Sequence, residues 1–187
     1  MARTKAKPLY ISFIAEVNQI TVPALLGAIG QHMAQFDELH LMLSTPGGNV
    51  REGIAAYNAL MAMPLKVFTY NIGQVNSIGN VLYLAGQRRF ANKTSSFMFH
   101  GVGFDITGQR FEEKQLIERL DGLRNDQQLI SDVMRKRAKI SAKRAHELFL
   151  QAAFVLPDEA RSLGIVDEIR DINVPKGATF MQLVFQR

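Results

Sequence analysis

Short apolar runs alternate along this chain with longer segments in which apolar residues recur at helical spacing. The short runs are rich in β-branched and aromatic residues and end at turn residues, which predicts strands. The predicted strands are residues 9–17, 39–43, 65–70, 89–91, 96–100 and 165–169. The predicted helices are residues 23–36, 50–63, 78–85, 111–138, 141–150 and 157–163. This alternation of strands and helices predicts an α/β fold.

The longest helical pattern, residues 111–138, has an apolar stripe on one side and charged residues elsewhere. The stripe consists of Leu116, Ile117, Leu120, Leu123, Ile130 and Val133. A helix with such a stripe has to bury it against another surface. It is either the core helix of an isolated domain or a helix that a second subunit covers.

Composition is typical of a soluble globular protein. The chain has 187 residues, 47% of them hydrophobic, which suffices for one sizeable core, and we predict a single domain over residues 1–187. No apolar run reaches the roughly 18 residues of a membrane span, and no apolar segment of a secretory signal follows the basic start. The absence of cysteine excludes disulfides, thiolate metal ligands and a cysteine nucleophile. We expect a cytoplasmic location.

The net charge of +5 raises the question of nucleic-acid binding. The basic residues are scattered, and their densest cluster, residues 134–144 ("MRKRAKISAKR"), is typical of the solvated end of a helix. No RNA- or DNA-binding motif accompanies the charge. We therefore expect neither a nucleic acid nor a membrane as a partner.

Two glycine-containing bends that lead into helices are the first candidates for chemistry. They are residues 46–49 ("PGGN") and residues 73–79 ("GQVNSIG"). Unpaired N–H groups at a helix start can hold an anion or a developing oxyanion. Ser77, in the second bend, could attack a carbonyl if His100 took its proton.

Each of these residues also has an ordinary structural interpretation. Ser77 could cap a helix, and spacing alone favours that role because Val75 breaks the G-x-S-x-G elbow of α/β-hydrolases. His100 could simply end the strand at residues 96–100, which closes with "FMFH". The other histidines fall in helical or strand patterns without a nearby glycine turn, namely His32, His40 and His146.

Four stretches follow one another in a recognisable order: "LHLMLSTPGGNVREGIAAYNAL", "IGQVNSIGNVLYLAG", "FMFH" and "LPDEARSLGIVDEI". They resemble four segments of the proteolytic subunit of the Clp protease. The first resembles its strand, S-P-G-G turn and helix, and the second resembles its I-G-Q-A-A-S-M-G segment. The third resembles its M-I-H strand end, and the fourth its S-A-x-E-A-x-x-Y-G-L-I-D segment. The resemblance spans residues 39–169. It implies a ClpP/crotonase-like fold of repeated β-β-α units, with a projecting handle helix at about 111–138 and a C-terminal tail at 173–187.

By this resemblance Ser77 stands at the nucleophile and His100 at the general base, and the N–H groups of Gly48 and Ile78 stand at the oxyanion hole. The implied function is that of a serine-type endopeptidase subunit, which cleaves peptides or unfolded proteins inside a ring assembly. The handle helix of the family pairs two rings, so a homo-oligomer is expected. Neither a metal nor a cofactor is expected in the subunit.

One departure from the family bears directly on activity. Ala152 stands where the family has the aspartate of the triad, and alanine cannot accept the N–H of His100. Gln151, Glu147 or Asp105 could replace it, although the match predicts none of them. The site is expected to be slow, poised or inactive. The alternative function is therefore an impaired or inactive paralogue that acts as an assembly or scaffold partner.

Two further departures concern the N-terminus and the surroundings of Ser77. The first strand begins by about Leu9, ahead of which the family has a longer leader that engages an ATP-dependent unfoldase, so that partner is possible but not favoured. Asn76 and Asn80 replace small residues, where they would narrow the site or bind Ser77. A third interpretation, an acyl-CoA enzyme of the crotonase branch, is disfavoured because the G-Q-x-x-S and histidine pair belongs to the peptidase branch.

Overall fold

The computed structural model describes residues 6–103, 108 and 110–185, which form an α/β protein as the sequence predicts. The strands are β1 (Pro8–Ile14), β2 (Glu38–Thr45), β3 (Lys66–Asn76), β4 (Arg88–Ala91), β5 (Ser96–Met98), β6 (Phe154–Val155), β7 (Glu168–Ile169) and β8 (Thr179–Leu183). The helices are α1 (Thr21–His32), α2 (Val50–Ala62), α3 (Gly79–Tyr83), α4 (Glu113–Arg137), α5 (Ala142–Leu150) and α6 (Pro157–Ser162). A short 3₁₀ turn, Met33–Gln35, follows α1.

In the described chain the strands form one sheet in the order β6-β5-β3-β2-β1-β8, with β4 paired to β3 and β7 paired to β4. All neighbouring strands are parallel except β5 and β6. The long β3 has two successive partners, since residues 68–71 pair with β4 and residues 74–76 pair with β5. The carboxyl ends of β2, β3 and β5 therefore lie at one edge of the sheet, where α/β proteins usually place their sites.

The core lies between this sheet and the helices that pack on it. Buried and partly exposed side chains alternate along β2, and Leu39, Leu41 and Leu43 are fully buried. Residues 9–13 of β1 are all buried, because β1 is flanked by β2 and β8. Helix α3 packs on both β3 and α2. This packing places the first turns of α2 and α3 beside the same edge of the sheet.

The long helix α4 is buried at one end and exposed at the other. Near its C-terminal end Ile130 and Met134 are buried in the core. Near its N-terminal end the exposed fractions of Leu116, Ile117 and Leu120 are 45%, 52% and 45%. The apolar stripe predicted from the sequence is therefore covered by this chain only in its second half.

The basic cluster, residues 134–144, lies at the C-terminal end of α4 and most of its basic side chains are exposed, as its charge predicts, but Arg137 is held by the fold. Met134 is buried, and the Arg137 guanidinium donates from Nε to the Leu84 carbonyl (2.9 Å) and from Nη2 to the Gly86 carbonyl (2.8 Å). These carbonyls lie at the C-terminal end of α3, where helical carbonyls lack partners within the helix. Arg137 thus ties α4 to α3.

Several element boundaries differ from the sequence predictions where tertiary contacts decide them. The strand predicted for 65–70 continues to Asn76, because residues 74–76 pair with β5. No sequence pattern indicated β6, and the strand predicted for 165–169 is limited to β7. The C-terminal tail contributes β8, which pairs with β1.

Within the described residues no helix combines the length and apolar character needed to cross a membrane. The single domain over residues 1–187 stays a prediction.

Candidate active site

Ser77 lies in the tight turn between β3 and α3. The sequence predicted a glycine bend over residues 73–79, but the residues up to Asn76 continue the strand, and the turn is confined to Ser77 and Ile78. The backbone φ of Ser77 is 53°, in the left-handed region that residues with a side chain seldom adopt. Such a conformation persists only where the surroundings hold it. The fold therefore holds Ser77 in a sparsely populated conformation at the carboxyl edge of the sheet.

The side chain of Ser77 does not cap α3. The N-cap position is occupied by Ile78, no side chain caps the helix, and Ser77 Oγ makes no hydrogen bond within the described residues. The backbone of Ser77 is bonded on both sides. Its N–H donates to the Met98 carbonyl (2.8 Å), and its carbonyl accepts from the Asn80 N–H (3.1 Å). The capping interpretation is therefore wrong, and no group among the described residues engages the hydroxyl.

The loop at residues 46–49 packs directly against Ser77. A Cβ atom added to Gly47 would lie 2.6 Å from the Ser77 Cβ, closer than side chains can approach. The φ angles of Gly47 and Gly48 are 98° and 144°, which favour glycine at both positions. The loop is anchored on the other side by Val17, whose N–H donates to the Gly47 carbonyl (2.7 Å) and whose carbonyl accepts from the Asn49 N–H (2.8 Å). The two bends predicted from the sequence thus come together.

The N–H groups of Gly48 and Ile78 are the candidate oxyanion donors. Gly48 lies just ahead of α2 and Ile78 just ahead of α3. Neither N–H donates to an acceptor within the part of the chain that the structure describes. Backbone donors that are fixed in place and not otherwise used can stabilise the negative charge of a tetrahedral intermediate.

His100 follows β5, which ends at Met98 and not at His100 as the sequence predicted. Asn76 pairs with Met98, and the Ser77 N–H donates to the Met98 carbonyl, so the end of β5 lies beside the Ser77 turn. The His100 side chain is exposed, and none of the described residues gives it a hydrogen bond or an ion pair. The structure therefore brings the backbones that carry Ser77 and His100 together, whereas no described side chain orients the imidazole.

Ala152 is the residue that the motif resemblance aligns with a triad aspartate, and the pairing of β5 with β6 sets its place relative to His100. Strands β5 and β6 are antiparallel, and the Phe99 N–H donates to the Ala153 carbonyl (2.9 Å). Continuing this register places Ala152 opposite His100. Ala152 has a φ of 47°, which is unusual for alanine. The side chain that this register places near His100 has no hydrogen-bonding group.

Three residues could replace the missing acid, and the described part of the chain brings neither Glu147 nor Gln151 to His100 by a hydrogen bond. Glu147 is paired with Arg144 in α5, at 3.4 Å. Gln151 is exposed, and its side chain makes no hydrogen bond within the described residues. Asp105 lies outside the described residues. In the described ranges no group of three or more His, Cys, Asp or Glu side chains could hold a metal ion.

The two asparagines beside Ser77 have different contacts. Asn76 Nδ2 donates to Gln74 Oε1 (3.1 Å). Asn80 Nδ2 donates to two carbonyls, those of Ser77 (3.0 Å) and Met98 (2.9 Å). Neither asparagine bonds the Ser77 hydroxyl, so the expected contact with Ser77 is to its backbone. The sequence predicted that Asn80 would narrow the site or bind Ser77, but it did not indicate the second bond, to the Met98 carbonyl.

His40 is a structural residue, as its strand pattern predicts. It is stacked between the rings of Tyr10 and Phe68, with centroid distances of 4.5 and 4.8 Å, and its Nδ1 is 2.8 Å from the Tyr70 hydroxyl. Burial lowers the pKa of His40, and the Glu38 carboxylate, 3.6 Å from Nε2, opposes that shift. The two remaining histidines lie in α1 and α5.

Comparison with known proteins shows the family of this chain. The sequence model described as Clp protease matches residues 16–173, most of the chain. The chain belongs to the Clp protease family. A solved structure, a point mutant of ClpP1 from Listeria monocytogenes, is similar with a TM-score of 0.72 and 19% sequence identity, over 87% of this chain and 91% of that chain. The resemblance inferred from the motifs and the ClpP-like α/β fold are both confirmed.

Proposed function

We propose that this Clp protease family member is a serine-type endopeptidase subunit that cleaves peptides or unfolded proteins. Ser77 Oγ attacks the peptide carbonyl carbon while His100 takes its proton, and the N–H groups of Gly48 and Ile78 hold the oxyanion. Collapse of the intermediate expels the amine, which receives the proton from His100, and leaves an ester on Ser77. Water that loses a proton to His100 then hydrolyses the ester and restores the serine.

The observation that carries this proposal is the way the turn at Ser77 is held. A serine with a φ of 53° and no hydrogen bond from its hydroxyl to the described residues lies against Gly47, next to two N–H groups without acceptors there. A serine with only a structural role would not require a strained turn, because an extended N-cap residue caps a helix without strain. Strained residues are concentrated at sites where the strain serves the chemistry.

Covalent labelling with a fluorophosphonate tests the proposal, since such probes react with activated serine hydroxyls. Mass spectrometry of the digested protein is expected to find the adduct on Ser77. The adduct should be absent in Ser77→Ala and strongly reduced in His100→Ala. Ser44→Ala is a matched control, because Ser44 lies at the end of β2 on the same edge of the sheet and should leave labelling unchanged. A folded, assembled wild-type protein that is not labelled would refute the proposal.

A second candidate, an impaired or inactive paralogue that serves as an assembly partner, is favoured by one observation. The position opposite His100 is occupied by Ala152, and none of the described residues donates to or accepts from the imidazole. Removing the charge of the triad acid lowers turnover by about four orders of magnitude in serine peptidases. The same fold could then be retained for assembly alone.

Restoring the acid distinguishes these two candidates. Ala152→Asp places a carboxylate opposite His100, and Ala152→Asn is the matched control, since both residues tolerate a positive φ and only one is charged. If the site is a working but slow peptidase, we expect the aspartate variant to label at least about tenfold faster than wild type and the asparagine variant to remain near it. Equal, undetectable labelling of all three proteins would favour the inactive partner.

The exposed part of α4 supports a homo-oligomeric assembly of the ring type. Leu116, Ile117 and Leu120 form an apolar patch that the described residues leave exposed, and contiguous exposed apolar patches usually mark an interface. Replacing all three by glutamine, which keeps helix propensity, is expected to reduce the assembly mass in sedimentation velocity. Lys114→Gln, an exposed change on the same helix, should leave the mass unchanged. An unaltered mass in the triple variant would refute a role for this patch.

A further inference from the structure

We infer that Asn80 is a positioning residue for the proposed nucleophile, one that joins the Ser77 turn to the strand end that carries His100. This inference rests on the proposed function. Asn80 does not touch the reacting hydroxyl, so its effect on the reaction would pass through the backbone of Ser77.

The side-chain amide of Asn80 forms two hydrogen bonds, to Ser77 and to Met98, which together are called the clamp. This side chain is 1% exposed, and both N–H bonds of its amide are used: Nδ2 donates to the Ser77 carbonyl at 3.0 Å and to the Met98 carbonyl at 2.9 Å. The Ser77 N–H donates to the same Met98 carbonyl at 2.8 Å. The turn and the end of β5 are therefore joined by one amide that reaches both.

The clamp holds Ser77, whose backbone conformation is strained. Ser77 has a φ of 53°, a strained conformation for a residue with a side chain. No side-chain cap at the start of α3 helps to hold it. A bond to its carbonyl restrains ψ of Ser77, and the second bond fixes the turn relative to Met98. His100 follows Met98 by two residues. Since no described side chain orients His100, the backbone of β5 carries more of that task here than it would beside a carboxylate.

The contacts also indicate that the two carbonyls keep a hydrogen bond without the Asn80 side chain. If the amide is removed, the Ser77 carbonyl keeps its bond from the Asn80 backbone N–H (3.1 Å), and the Met98 carbonyl keeps its bond from the Ser77 N–H. The amide oxygen itself is buried without a partner among the described residues. A buried acceptor without a donor destabilises the folded state, so truncation at Asn80 removes an unfavourable feature together with two favourable bonds.

Asn80→Ala and Asn80→Asp test the inference, because the first removes the amide and the second keeps its size while replacing the amide that donates two bonds by a carboxyl group that cannot donate both. The matched control is Asn71→Ala. Asn71 is equally buried, lies on β3 and also joins β3 to β5, through Nδ2 to the Ser96 carbonyl at 2.8 Å, but it does not touch Ser77. The measurement is fluorophosphonate labelling of the assembled protein over a range of probe concentrations, which separates the maximal rate from the probe concentration at half-maximal rate.

A displaced nucleophile slows the chemical step while probe binding is retained. We expect both Asn80 variants to lower the maximal labelling rate about 10- to 100-fold, with half-saturation within about twofold of wild type. Asn71→Ala should retain the wild-type rate, even where it lowers the melting temperature more. A wild-type rate in Asn80→Ala would overturn the inference, and so would an equal loss in Asn71→Ala.

Crystal structures of the wild type and Asn80→Ala keep this inference separate from the proposed function. If the wild type does not label, the proposed peptidase fails, but the positioning role is still decided by the backbone. A variant in which Ser77 leaves the left-handed region, or loses its bond to Met98, supports the role of Asn80. A variant in which both are retained overturns it.

Discussion

Replacing Gly47 by alanine is the sharpest test of the way the site is assembled. The added Cβ would lie 2.6 Å from the Ser77 Cβ, 2.9 Å from the Asn76 carbonyl oxygen and 3.3 Å from Ser77 Oγ. Two of these three atoms belong to Ser77, and the third is a backbone atom of β3. The clash therefore cannot be relieved by rotating a flexible side chain, and either the loop or the turn has to move.

Two terms set the size of the effect. Holding alanine at a φ of 98°, outside its usual range, costs about 1–3 kcal/mol. Inserting a methyl group into a close-packed contact costs typically about 1–3 kcal/mol. We expect Gly47→Ala to lower the free energy of unfolding by about 2–6 kcal/mol, a large part of the stability of an ordinary domain. Since the loop is anchored by Val17, labelling of Ser77 should also be lost.

Denaturant unfolding followed by circular dichroism measures the change, and Gly30→Ala is the control. Gly30 is a helical position in α1 with nothing within 4 Å of an added Cβ, so alanine there should stabilise the protein by roughly 0.5–1 kcal/mol. The two glycine-to-alanine changes thus have opposite predicted signs. A loss below about 0.5 kcal/mol in Gly47→Ala, within the range of neutral surface substitutions, would refute the claimed contact between the loop and Ser77.

Two further predictions concern residues outside the site. Burial lowers the pKa of His40 in the folded state below its usual 6.5. As the pH falls below 6.5, the imidazole is therefore protonated more readily in the unfolded state than in the folded state, and the free energy of unfolding decreases. His40→Phe should therefore lose less unfolding free energy between pH 7 and pH 5 than wild type, and equal losses would contradict the assignment. Arg137→Met removes two bonds to the carbonyls of Leu84 and Gly86 and should lower the unfolding free energy by about 2–3 kcal/mol. Lys136→Met, on the exposed side of the same turn, should change it little, and a similar loss there would count against the Arg137 contacts.

The long elements could be predicted from the sequence because their signals are local. Helix α2 follows Asn49, whose Oδ1 accepts from the Glu52 N–H at 3.1 Å, and it ends before Pro64. Strand β2 alternates buried and half-buried residues, which is the period of a strand with one face on the core. Such features depend on neighbours within a few residues, and these neighbours can be read directly from the chain.

The candidate site could be located but not assembled from the sequence. The motifs pointed to Ser77 and His100, whose catalytic roles stay predictions. The left-handed turn at Ser77 and the clamp by Asn80 both depend on Met98, which is brought in by the pairing of β3 with β5. No pattern near residue 77 contains that contact, and the capping role favoured by spacing alone was wrong for this reason.

The sequence by itself determined the α/β class, the order of the long elements, the family and the absence of cysteine chemistry, because hydrophobic period and motif order are properties of the chain alone. Tertiary structure decided the short strands β6 and β8, the half-covered face of α4 and the register that places Ala152 opposite His100. Short strands bury too little on their own to be stable and form only where a partner edge exists. The geometry around Ser77 belongs to this second group, since it is made by contacts between residues far apart in the chain.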